Sequence, residues 1–141
     1  MKKTFLLILL LAVTFGASAQ SDSKPEIKFD KTTIDLGKIG TDSPIKECFF
    51  LFKNTGDANL YIHQIITSCS CTGKRYPTRG IKPGESDTIF VTYNAENKSP
   101  RKFRTSITIH SNAKTEMTKL YLKGEILPQK VQDNEVIQVD E

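Results

Sequence analysis

The stretch IKPGESDTIFVTYNA, residues 81–95, decides the fold. Lys82-Pro83-Gly84-Glu85 reads as a type II turn, with proline presetting the first central position and glycine taking the positive φ of the second. Ile89, Val91 and Tyr93 then fall on one face of residues 88–93. An apolar period of two over so short a run predicts a strand with one face buried.

The same signal recurs on both sides. Downstream, Phe103, Thr105, Ile107 and Ile109 alternate, and Leu120 and Leu122 repeat the pattern before Gly124. Upstream, residues 45–53 (IKECFFLFK) form a longer strand, so apolar that both its faces are expected to be covered. The turn Asn54-Thr55-Gly56-Asp57 follows, and then a strand over residues 60–67. Residues 27–29 and 33–36 make a broken first strand. No long segment has helical spacing and no repeat is present. About seven short strands separated by Gly, Pro and Asn signals predict an all-β, two-sheet antiparallel sandwich with a continuous core, able to fold without disulfides.

The ends read differently from the middle. Lys2 and Lys3, the apolar run from Phe5 to Val13 and an Ala-Ser-Ala site ending at Ala19 describe a secretory signal peptide over residues 1–19. The apolar run is shorter than the roughly 20 residues of a membrane span, so no span is expected after cleavage. No cysteine follows the cleavage site, which argues against a lipid anchor. The sandwich is assigned to residues 25–127, and residues 128–141, with four acids against one lysine, read as a flexible acidic tail. The expected location is the periplasm or the outside of the cell.

The net charge is +4; residues 1–19 hold two lysines and no acid, so the remainder has 18 basic against 16 acidic side chains, a net +2. Lys74, Arg75 and Arg79, and Lys98, Arg101, Lys102 and Arg104, flank turn signals and read as solvated loops. An exported, nearly neutral domain of this kind makes nucleic acid a poor partner.

The segments FKNTGDANLYIHQIITSCSCT, IKPGESDTIFVTYNA, SITIHSNA and LYLKGEI, in this order and spacing, resemble the exported bacterial family known as domain of unknown function 1573. The resemblance covers residues 29–126. It implies an immunoglobulin-like sandwich and an exported location, and it implies no activity. Its most distinctive part is the Ser-Cys-x-Cys-Thr segment, where this chain has Ser70 in place of the usual glycine. Cys48 lies outside the shared motif.

Three cysteines cannot all pair within one chain. Cys48 shares a strand face with Phe50 and Phe52 and reads as a small buried residue. If the strands around the 54–58 turn fold back on each other, Cys48 faces Gln64, leaving Cys69 roughly 16 Å away. A disulfide needs Cα atoms within about 7 Å, so that bridge is not expected. Cys69 and Cys71 share a strand face about 6.6 Å apart, and a turn at Ser70 would bring them closer. A ring closed over one residue is strained and easily reduced, and such disulfides exchange. Cys69 and Cys71 are therefore the candidate site, as a structural pair, a redox pair or a grip on a soft metal.

Further ligands are scarce. His63 lies roughly 20 Å from Cys69 along an extended strand, and His110 is the other histidine. No nucleophile elbow, phosphate loop, dinucleotide turn or zinc-protease motif is present. Asp57 and Glu85 belong to turns, and Tyr61, Tyr76 and Tyr121 read as cross-strand packing more readily than as a binding face. The expectation is a non-catalytic exported module with no cofactor and no metal, binding a protein or glycan or acting as a spacer. The alternative is a thiol-redox or soft-metal protein acting through Cys69 and Cys71.

Overall fold

The computed structural model describes residues 22–129. The expected signal peptide and residues 130–141 of the expected tail lie outside the described residues. The described chain forms β1 (Ile27–Phe29), β2 (Thr33–Ile39), β3 (Ile45–Asn54), β4 (Ile62–Thr67), β5 (Thr72–Arg75), β6 (Ser86–Asn94), β7 (Arg101–Ser111) and β8 (Met117–Ile126). Two four-stranded sheets result: a front sheet ordered β1-β3-β6-β5 and a back sheet ordered β2-β8-β7-β4.

Alternation builds the core. Phe50, Phe52, Ile89, Val91 and Tyr93 point inward from the front sheet to meet Ile65, Ile107, Ile109, Leu120 and Leu122 from the back. Burying each such side chain contributes about 1.5–3 kcal/mol relative to leaving it in water, enough in sum to hold the sheets face to face. The proline–glycine turn forms as read: Gly84 has φ 79°, and the Glu85 amide donates to the Lys82 carbonyl at 3.0 Å.

Asn54, at the end of β3, is fully buried and works as a clamp. Its Nδ2 donates to the carbonyls of Ala58 (2.8 Å) and Ile81 (2.9 Å), while its Oδ1 accepts from the amides of Gly56 (3.0 Å) and Glu26 (3.3 Å). A Cβ on Gly56 would collide with the backbone of Lys24 and Glu26. The Asn-Thr-Gly motif thus lets the turn pass against the strand-β1 segment while Asn54 satisfies both.

Several expectations need correction, and one condition is decided. The broken first strand is a change of sheet: β1 pairs with β3 in the front sheet, and β2 pairs parallel to β8 in the back sheet, with a bulge between Asp35 and Lys38. β3 and β4 do not fold back on each other, because the chain crosses from the front sheet to the back between them. Lys74 and Arg75 lie on β5, and Arg101, Lys102 and Arg104 on β7, instead of in loops; pairing of Gly73 with Thr92 and of Arg75 with Phe90 supplies the order in β5 that its side chains do not. Finally, β3 is covered on one face only, a point with functional weight.

Candidate functional site

Along β3, Ile45, Glu47, Phe49, Leu51 and Lys53 all point away from the core. Phe49 is 60% exposed, Ile45 48% and Leu51 39%; on the neighbouring strand Phe90 is 46% exposed. Register brings the aromatic pair together: Phe49 stands opposite Phe90, with ring centroids 6.4 Å apart. Arg75, opposite Phe90 from the other side, lays its guanidinium over that ring at 4.6 Å. Cation–π contact of this kind keeps the arginine ordered while its charge faces water.

Charge frames the apolar strip. Lys28 pairs with Lys53 across β1 and β3, and with Arg75 they place three cations around the strip beside two carboxylates, Glu47 and the exposed Asp30, whose amide donates to the Leu51 carbonyl at 3.1 Å. A recess of about 260 Å³ opens between Glu47, Arg75, Phe90 and Thr92. Among the described residues nothing packs on this face. Monomeric proteins rarely expose contiguous large apolar side chains without a use for them.

The second candidate is the corner between β4 and β5, where the chain returns from the back sheet to the front. Cys69 and Cys71 are joined there in a disulfide, with Cα atoms 5.1 Å apart. The Thr72 amide donates to the Cys69 carbonyl at 3.1 Å, closing a tight turn over Ser70 and Cys71. The Thr67 hydroxyl donates to the same carbonyl at 3.1 Å, and the Cys71 amide donates to the Cys69 sulfur at 3.2 Å. Both cysteines are half-buried.

Cys48 is a free thiol, half-buried rather than fully enclosed. Burial pushes its pKa up to about 11, so it is protonated and unreactive near neutrality. It lies on β3, with β6 between it and the strand that follows the disulfide. His63 and His110 line one depression together with Gln64 and Glu116, at the end of β4 remote from Cys69. Among the described residues no group of three or more His, Cys, Asp or Glu side chains comes close enough to hold a metal ion.

The tyrosines divide as packing and partial exposure. Tyr76 packs against the core, Tyr121 lies 4.1 Å beneath Arg104, and Tyr61 is exposed beside Gly80. The exposed aromatic pair is phenylalanine instead. Sequence reading missed it because the consecutive FFLF of β3 erases the alternation that marks an outer face; the exposed Phe90 between Ile89 and Val91 was the available signal. Among the described residues no helix is long and apolar enough to cross a membrane.

The chain belongs to the family described as protein of unknown function (DUF1573), whose model matches residues 27–126. No curated protein matches it. Among solved structures, a protein of unknown function from Porphyromonas gingivalis W83 superposes with a TM-score of 0.64 at 18% identity, over 77% of this chain and 50% of that one; the chain spans half the length of that protein. The ASH/PapD-like domain 7 of human CEP192 gives 0.61 at 7% identity, over 76% of this chain and 89% of that one. The secreted serine protease VesC of Vibrio cholerae gives 0.56 at 17% identity, over 72% of this chain and 23% of that one. At such identities these likenesses establish an immunoglobulin-like, PapD-like sandwich and nothing about activity.

Proposed function

Taking membership of that family as the premise, we propose that the chain is an exported, non-catalytic module that binds a partner polypeptide on the outer face of its front sheet. The observation that carries this reading is the exposed strip of Ile45, Phe49, Leu51 and Phe90. Aromatic and aliphatic side chains grouped on a flat, rigid sheet are the usual centre of a protein interface, and a rim of charge is its usual border. Export rests on the signal-like residues 1–19.

Chemistry narrows the partner. Aliphatic Ile45 and Leu51 offer no hydrogen bonds to sugar hydroxyls, which favours apolar side chains over a glycan. Lys28, Lys53 and Arg75 outnumber Glu47 and Asp30, so the matching surface is apolar at its centre and acidic at its border. The same surplus opposes symmetric pairing of two copies, which would bring like charges together. The front sheet's free edges are β1 and β5, only three and four residues long; they are poor templates for an added strand, so the face is the better docking surface.

The test uses isotope-labelled protein and two sets of extended peptides, one alternating apolar with acidic residues and one apolar with basic residues. The acidic set should shift the amide signals of residues 45–53, 73–75 and 86–94, and the basic set should leave them in place. Shifts confined to the back sheet, or equal responses to both sets, would refute the reading.

A further inference from the structure

The disulfide corner does not act as a staple. Its ring spans a single intervening residue, so it removes less freedom from the unfolded chain than any longer loop would. The corner is also held without it: the Ser68 amide donates to the Ser106 carbonyl at 3.0 Å, the Ser106 amide returns to the Ser68 hydroxyl at 3.0 Å, and the Asn94 amide donates to the Cys71 carbonyl at 2.9 Å. A bond that the fold does not need, half-open to water, is available for chemistry.

Its two sulfurs are not equivalent. A shallow depression of about 360 Å³ opens onto Cys71 and not onto Cys69, between Ser70, Gly73, Thr92 and Lys98. Lys98 and Glu96 both line it, one charge of each sign, and the Glu96 carboxylate accepts from the Asn94 side-chain amide at 3.1 Å. The Cys71 N–H, for its part, points at the Cys69 sulfur, where it would stabilise negative charge as that sulfur departs.

We propose that Cys69–Cys71 is a thiol–disulfide exchange site with a fixed direction, in which the thiolate of a partner dithiol attacks Sγ of Cys71 and Cys69 is the leaving group. The first step forms a bond between the incoming sulfur and Cys71 and breaks the Cys69–Cys71 bond, its electron pair passing to Cys69 as thiolate. The partner's second thiolate then attacks the partner sulfur of the mixed disulfide and releases Cys71. The partner dithiol is oxidised to a disulfide by two electrons, and the two protons it loses appear on Cys69 and Cys71. Cys48 takes no part, since β6 separates its strand from the corner.

Thr92 and Gly73 border both the depression and the outer face of the front sheet. A polypeptide docked on that face therefore lies beside Cys71. The exchange chemistry does not rest on the docking reading, and a small thiol separates the two.

The experiment treats the oxidised full-length mature chain with reduced glutathione, quenches with acid at short times, and maps adducts by mass spectrometry. Glutathione should appear on Cys71 with Cys69 free, in at least about tenfold excess over the reverse isomer. Lys98→Gln should slow formation of the adduct several-fold at low salt and less at high salt. Equal labelling of the two cysteines, preference for Cys69, or a bond that withstands glutathione until the protein unfolds would each overturn the proposal.

Discussion

The two outer faces of the sandwich come from sheets of equal strand number around one core, and they present opposite surfaces. The back sheet shows Lys102, Arg104, Ser106, Thr108 and His110 along β7, paired with Glu125, Lys123, Tyr121, Lys119 and Met117 on β8. Its aromatic, Tyr121, is capped by Arg104 at 4.1 Å, and its exposed apolar residues, Ile66 and Met117, stand singly on different strands. The front sheet gathers Ile45, Phe49, Leu51 and Phe90 into one strip. A fold that needed only solubility would have treated both faces as it treats the back one. The difference is the ground for proposing the front face as the binding face.

Substitutions can break or sharpen that contrast. The largest effect should be the least selective: Asn54→Ala leaves buried backbone partners unsatisfied and should cost about 3 kcal/mol in denaturant unfolding, harming both faces alike. Next, Phe49→Glu should weaken partner or peptide binding about 30-fold. Its stability should fall by about 1 kcal/mol or less. The matched change on the back sheet, Thr108→Glu, should leave binding alone. If both substitutions weaken binding equally, the faces are not distinct.

Arg75→Ala should cost about 1 kcal/mol of binding and flatten its salt dependence, measured by titration at two ionic strengths. Arg104→Ala, which removes the corresponding contact on the back sheet, should do neither. The smallest effect concerns Cys48, next to Phe49 and pointing the other way. Its folded pKa is raised from 9.0 to about 11, so the folded state holds its proton more firmly than the unfolded one. The stability this provides is fully present below about pH 9 and is lost as pH climbs through 11. Cys48→Ala should show a shallower alkaline fall in melting temperature than the unaltered chain.

Sequence made some of this contrast legible. β6, β7 and β8 alternate apolar with polar residues, so their inner faces could be read from period alone; Gly84 marked the turn into β6, and Asn54 the turn after β3. β3 could not be read so, because Phe49, Phe50, Leu51 and Phe52 are all apolar and a strand covered on both faces has the same signature. β5 carried no strand signal in Thr-Gly-Lys-Arg; its order comes from β6, a tertiary effect. At the cysteine corner, distance along the chain already separated Cys69 from His63. The inequality between Cys69 and Cys71 needed coordinates, since it depends on where one amide points and which sulfur the depression reaches.

The central claim, that the front face is the binding face, is tested most directly inside the cell. A photo-crosslinking amino acid placed at Leu51, on the front face, is compared with one at Thr108, on the back face, in the full-length chain. Irradiation should give a discrete adduct from position 51 that disappears with Phe49→Glu, and no such adduct from position 108. The same adduct from both positions, none from position 51, or a bond from position 51 only to the chain's own residues 130–141 would contradict it.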